Sequence, residues 1–152
     1  MQSSSRTDTT GSNSSGRGLL VTYGWLSSLL ALGILVQAVL ASQGLFKGKP
    51  DLISGHGMLG NVLGLIAIVI AGIAIYGRGK YAPPLDNGAV VRAIVLVVLI
   101  VIQIMLGYST RDSSTAIAWH IPNGVLLMGI SAVNAAMAWA KPSTERNSRR
   151  PS

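Results

Sequence analysis

Four long stretches of the chain carry no charged side chain and consist mainly of apolar residues. They cover residues 18–46, 52–77, 93–110 and 113–140. Each is at least as long as the roughly 17–25 residues that a helix needs to cross the hydrocarbon core of a bilayer. Because backbone N–H and C=O groups in lipid must be satisfied within the segment itself, each stretch is predicted to be a helix.

The predicted membrane-spanning helices cover residues 19–42, 55–76, 88–108 and 117–139. Short connections make consecutive helices antiparallel neighbours, so the predicted fold class is all-α, an integral membrane four-helix up-down-up-down bundle spanning residues 19–140. Residues 1–18 and 141–152 are too poor in apolar side chains to fold alone. They are predicted to be a disordered cytoplasmic tail and a basic cytoplasmic tail.

Charge gives the orientation of the bundle. Only 11% of the residues are charged, against roughly 25% in soluble domains, which predicts a lipid bilayer as partner. The net charge of +7 is therefore interpreted by membrane side, and no nucleic acid partner is expected. Nine Lys and Arg residues fall on the side of both termini and three on the other, which predicts cytoplasmic termini in a bacterial-type plasma membrane. Arg92, near the cytoplasmic end of the third span, is interpreted as an anchor that reaches the headgroups.

The two halves of the chain resemble each other. Gln37 is followed by two apolar residues, Leu and a small residue, and so is Gln103, at an offset of 103 − 37 = 66. His56 and His120 are each followed four residues later by glycine, at an offset of 120 − 56 = 64. Two repeated helical hairpins, residues 19–76 and 88–139, explain both offsets and place equivalent residues at equal depth.

The two histidines are the candidate metal ligands. The second and fourth helices lie diagonally across such a bundle, so His56 and His120 are expected to face each other. Gly60 and Gly124, one turn deeper, leave room for a flat macrocycle to approach the backbone. Imidazole is a common axial ligand of haem iron, and no cysteine is available for covalent attachment. The predicted cofactor is therefore one non-covalent haem b with His56 and His120 as its ligands.

Three further residues are predicted to contact this cofactor. Gln37 and Gln103 lie at about the depth of the histidines, where their amides either support the site or join helices by hydrogen bonds. Arg111 is one of three cations on this side and is a candidate partner for a haem propionate, with ordinary loop solvation as the alternative. A zinc site is disfavoured because too few other ligands lie nearby.

The Gln-x-x-Leu-Gly segment at Gln103 and the Trp119-His120 pair resemble one half of a haem A synthase. That family has eight helices in two four-helix bundles, with haem-binding histidines at helix starts on the extracytoplasmic side. The resemblance also extends to small membrane b-type cytochromes. Compared with the synthase, this chain has no second bundle, second histidine pair, loop cysteines or glutamate in the first extracytoplasmic loop, so oxidation of a haem methyl group is not expected.

Three functions follow as hypotheses. The first is an electron-transfer or haem-carrying subunit, without catalytic activity of its own, that works with a redox partner or quinol. The second is a haem A synthase-like enzyme half, completed by a partner membrane subunit or a homo-oligomer. The third is a cofactor-free accessory subunit that packs against a larger membrane complex through small-residue helix faces.

Overall fold

The protein is a bundle of four helices. The computed structural model describes residues 10–78, 85–110 and 112–148, and side chains within 16–78, 85–110 and 112–140. The helices are α1 (Thr10–Lys47), α2 (Pro50–Gly77), α3 (Asn87–Ser109) and α4 (Ser114–Ser148). Each contains a stretch long and apolar enough to cross a membrane. The prediction of an all-α, four-helix membrane protein is confirmed.

The first and last helices are longer than predicted. α1 begins at Thr10 rather than at residue 19, and α4 ends at Ser148 rather than at residue 139. The stretches able to span a membrane are shorter, Gly16–Lys47 and Ser114–Ala140. A nucleated helix gains a backbone hydrogen bond with each added residue, so it continues past the hydrocarbon without needing apolar side chains. Parts of both predicted tails are therefore helical, residues 10–18 in α1 and residues 141–148 in α4.

Local sequence determines where the connections turn. Pro50 opens α2 at a position whose N–H has no helical partner, and Gly48 before it has the positive φ of 60° that glycine tolerates best. At the other end of the bundle, Asp86 caps α3 by accepting a hydrogen bond from Ala89 N at 2.7 Å. Across these two connections, α1 packs on α2 and α2 packs on α3.

Helix packing follows a square. α1 packs on α2, α2 on α3, α3 on α4, and α4 on α1. Within the described parts of the chain, α1 does not approach α3 closely, and α2 does not approach α4. The second and fourth helices thus lie on a diagonal, as the sequence predicted.

The centre of the core is a layer of four leucines, one from each helix. Leu30, Leu63, Leu96 and Leu127 are at most 2% exposed. Their numbering repeats the offsets found at the candidate site, since 96 − 30 = 66 and 127 − 63 = 64. The predicted repeat therefore extends through the buried core, and we call these four side chains the leucine layer.

The outer surface of the bundle is also apolar. Large side chains such as Leu32, Leu65 and Ile68 are more than half exposed. An apolar exterior of this extent, around helices long enough to span a membrane, indicates lipid as the surrounding solvent. The chain is an integral membrane protein.

Candidate functional site

The two histidines meet across the diagonal of the bundle, at the end opposite the termini. His56 lies in the second turn of α2 and His120 in the second turn of α4, and both are half-buried. Their ring centres are 6.1 Å apart and the ring planes are inclined by 70°. Although the backbones of α2 and α4 do not pack together, these side chains bridge the gap between them.

Gln37 of α1 fixes the orientation of the His56 ring. His56 Nδ1 lies 2.9 Å from the backbone carbonyl oxygen of Gln37. Because a carbonyl oxygen can only accept, Nδ1 carries the proton and donates, and in the neutral ring Nε2 keeps a lone pair. The side-chain amide of Gln37 in turn donates to the His56 carbonyl oxygen at 3.2 Å. The two residues thus hold each other, and Nε2 of His56 has no hydrogen bond to Gln37.

A chain of hydrogen bonds defines the state of His120. Asn123 Nδ2 donates to the Leu99 carbonyl oxygen at 3.0 Å and to Gln103 Oε1 at 2.6 Å. The opposite end of that glutamine amide, Nε2, must therefore be the group that lies 3.1 Å from His120 Nε2. An amide nitrogen only donates, so His120 Nε2 accepts and the proton of the neutral ring is on Nδ1.

His120 Nδ1 is buried and, among the described residues, has no hydrogen-bond partner. The His120 ring packs against Gly107 of α3, where an added Cβ atom would lie 3.2 Å from His120 Cε1. A buried donor without a partner costs roughly 1–3 kcal/mol. His120 Nδ1 is therefore a hydrogen-bond donor without an acceptor among the described residues.

The two predicted glycines have equivalent surroundings in the two halves. A Cβ atom on Gly60 would lie 2.6 Å from Gln37 Nε2, and one on Gly124 would lie 3.2 Å from Gln103 Nε2. Each glycine therefore makes room for the glutamine of the preceding helix. The two amides occupy the space over Gly60 and Gly124 that the sequence analysis assigns to a macrocycle. The repeat of Gln and Gly in both halves is consistent with this packing of a glutamine on a glycine.

One difference between the repeats gives the two histidines different hydrogen bonds. Asn123 corresponds to Leu59 in the first half, since 123 − 59 = 64. Leucine offers no donor, so Gln37 has no equivalent partner and its amide turns to the His56 backbone instead. His56 and His120 consequently bond through different ring nitrogens, although they lie at equivalent places.

Arg111 lies outside the described residues. Within the described part of the chain, no group of three or more His, Asp or Glu side chains could hold a metal ion. Among the described residues, the site therefore has two imidazoles, enough for a metal that takes two protein ligands. A structural zinc site normally needs four protein ligands.

A second polar cluster, missed by sequence reasoning, lies at the end of the bundle that carries the termini. Asn134, fully buried on α4, accepts from Tyr23 Oη at 2.8 Å and from Arg92 Nε at 3.2 Å. Its amide nitrogen donates to Ser27 Oγ at 3.0 Å. Arg92 Nε is therefore bonded inside the bundle, while Arg92 Nη1 would lie 3.0 Å from a Cβ atom on exposed Gly88, near the start of α3. The spacing of His120, Asn123, Ser131 and Asn134 along one helical face was the available signal.

The chain matches no known family model, no curated protein and no solved structure. The chemistry of the site is therefore inferred from its own residues and geometry.

Proposed function

We propose that this membrane protein binds one b-type haem through His56 and His120 and serves as an electron-transfer or haem-carrying subunit. The observation that carries the proposal is the ring-centre distance of 6.1 Å between the two histidines. Two imidazoles bound to opposite sides of one iron, with metal–nitrogen bonds of about 2 Å, have ring centres about 6 Å apart. The resemblance to one half of a haem A synthase points to the same ligands.

The donor chemistry of the two rings supports the proposal. His56 donates its Nδ1 proton to a backbone carbonyl oxygen, the hydrogen bond that commonly orients a metal-ligating histidine and raises its basicity. Nε2 of His56 then carries the lone pair that a metal needs. At His120, the lone pair is on Nε2, the nitrogen that accepts from Gln103.

Haem binding at these residues requires the glutamine amides to move. Gln103 holds the accepting nitrogen of His120, and both glutamines fill the space over Gly60 and Gly124. Each amide is the end of a flexible side chain, and an interhelical hydrogen bond in a membrane contributes on average only about 0.6 kcal/mol. Rotation of Gln37 and Gln103 therefore costs little and uncovers both glycines.

In this proposal the histidines would bind the haem, and the leucine layer would separate it from the other end of the bundle. A haem held by His56 and His120 would supply reversible one-electron transfer, and these two ligands would leave no place on the iron for a substrate. His56 and His120 would hold it near one membrane face, and the leucine layer would separate it from the far side. We therefore propose a redox partner or quinol at the histidine end, and no catalytic activity for the chain alone.

The visible spectrum of the purified protein tests the proposal. Full-length protein expressed with ample haem should show a low-spin, six-coordinate b-type spectrum in its oxidised and reduced forms. The stoichiometry should be one haem per chain, measured by extraction of the pigment. A colourless protein that also fails to bind added haem would contradict the proposal.

A second candidate is a cofactor-free accessory subunit. The observation that favours it is that the same histidines and glutamines already join α1 to α2 and α3 to α4 by hydrogen bonds. Such bonds fasten membrane helices without any ligand. A colourless but stable and fully helical protein would make this the better interpretation.

We also predict the orientation of the bundle in the membrane. Lys and Arg are concentrated at the end that carries both termini, by nine to three, which places that end in the cytoplasm and the Lys47–Pro50 connection outside. A cytoplasm-dependent fluorescent reporter fused after Ser152 should be active, and an export-dependent phosphatase at the same place inactive. The reverse pattern would overturn the orientation.

A further inference from the structure

We propose that Asn123 is a positioning residue that makes the two histidines unequal as ligands. It fixes the Gln103 amide on the lone pair of His120, so that haem binds to His56 first and to His120 only after Gln103 has moved away. The inference rests on the proposed haem binding and adds an order of ligation to it. Three observations lead to it: the bonds that hold each glutamine, the residue that differs between the halves, and the separate attachment of the His56 ring.

The Gln103 amide is held at both of its ends. Its Oε1 accepts from Asn123 Nδ2 at 2.6 Å, and its Nε2 lies 3.1 Å from His120 Nε2. Asn123 is itself attached to α3, because the same Nδ2 donates its second hydrogen to the Leu99 carbonyl oxygen at 3.0 Å. A carbonyl oxygen cannot donate, so this contact fixes which end of each amide faces which partner. Gln103 must therefore break two hydrogen bonds before it can leave His120.

The Gln37 amide in the other half is held less firmly. Its Nε2 donates to the His56 carbonyl oxygen at 3.2 Å, and the residue equivalent to Asn123 is Leu59, which offers no donor to the Gln37 amide oxygen. The His56 ring does not depend on this amide, since its Nδ1 donates to the backbone carbonyl oxygen of Gln37 at 2.9 Å. The Gln37 side chain can therefore rotate away while the His56 ring stays oriented.

The two ligand nitrogens consequently become available at different stages. Nε2 of His56 has no hydrogen bond to Gln37, whereas Nε2 of His120 accepts from Gln103. The lone pair of an imidazole nitrogen cannot accept a hydrogen bond and bind iron at the same time. His56 is thus the first ligand and His120 the second, and Asn123 controls the second step without touching the iron.

Nitrogen-15 NMR of the full chain without haem, labelled at its two histidines, tests the hydrogen bonds directly. In the wild type both rings should carry their proton on Nδ1, and His120 Nε2 should have the chemical shift of a nitrogen that accepts a hydrogen bond. Asn123→Leu gives the second half the side chain that the first half has at Leu59. It frees the Gln103 amide to turn over, so a second His120 signal with the proton on Nε2 should appear while His56 stays unchanged. A His120 signal that Asn123→Leu does not affect would overturn the proposal.

Rapid mixing of the haem-free protein with haem tests the order of ligation. The wild type should show a five-coordinate, high-spin spectrum before the low-spin one, and this early spectrum should persist in His120→Ala and be missing in His56→Ala. Asn123→Leu should make the second step about threefold faster, the factor that corresponds to one average interhelical hydrogen bond in a membrane. Val125→Ala, at a 69% exposed position two residues further on, is the matched control and should change neither step.

The reciprocal variant, Leu59→Asn, keeps the test decisive if Asn123→Leu fails to fold as judged by circular dichroism. The repeat places the Gly33 carbonyl at the equivalent of Leu99, since 99 − 33 = 66, so the added amide should hold Gln37 in the same way. It should slow the first step about threefold, by the same hydrogen-bond argument. Low-spin binding in a single step, at a rate that neither variant changes, would overturn the inference and leave the proposed haem binding intact. A wild-type protein that binds no haem would overturn both.

Discussion

Replacing either His56 or His120 with alanine should abolish the low-spin spectrum expected of the haem-loaded protein. Each change removes one of two axial imidazoles, so the iron becomes five-coordinate and high-spin or the haem is lost. Removing a hydrogen-bond partner of a metal ligand already lowers metal affinity roughly 10–100-fold, and loss of the ligand itself should cost at least as much. Optical titration with haem measures both the spin state and the affinity.

The matched control is Met58→Ala. Met58 follows His56 by two residues but is 73% exposed on the outer side of α2, so its loss should leave the spectrum unchanged. Circular dichroism should show equal helix content in all three variants. If either histidine variant keeps the wild-type spectrum and affinity, the bis-histidine assignment is wrong.

Replacing Gly33 with alanine should destabilise the bundle by about 1–3 kcal/mol, the usual cost of overpacking a core. An added Cβ atom would overlap Leu63 Cδ2, and Leu63 is only 2% exposed in the leucine layer. The leucine side chain is enclosed, so it can yield only by shifting its neighbours. The free energy of unfolding in mixed micelles, measured by circular dichroism, reports the loss.

Two further variants identify Leu63 as the cause. Gly72→Ala makes the same chemical change where a Cβ atom has open space, so it should not destabilise the protein. Leu63→Val shortens the overlapping side chain and should recover part of the loss in a Gly33→Ala background, giving a coupling energy within the roughly 0.5–3 kcal/mol range of contacting residues. Strict additivity of the two changes would show that the residues do not interfere.

The sequence predicted the architecture because lipid imposes strong constraints. A segment without charge that is as long as a bilayer is thick must be helical, because its backbone groups have to bond within the segment. Equal spacing in the two halves places His56 and His120 at one depth. Their approach across the diagonal then follows from short connections alone. These inferences use length, charge and period, which a single sequence displays directly.

Other features depend on pair contacts that no such pattern reveals. No pattern in the sequence indicates that Asn123 orients Gln103 and through it sets the tautomer of His120. Its effect requires knowing which rotamer each amide adopts in the folded bundle. Arg92 was placed at the correct end of its helix, but its hydrogen bond to Asn134 joins residues 42 positions apart. The helix ends at Thr10 and Ser148 lie in polar segments, where apolar length no longer limits a helix.

The leucine layer makes the bundle an electrical insulator. The buried polar residues Ser27, Ser131 and Asn134 lie on the termini side of the leucine layer, and the two histidines lie on its other side. A membrane potential of 100 mV supplies about 2.3 kcal/mol to an elementary charge, whereas desolvating an ion among apolar side chains costs several kcal/mol even after relaxation. An ion at either end therefore gains too little from the field to cross the layer. The layer is therefore a barrier to ions between the two ends of the bundle.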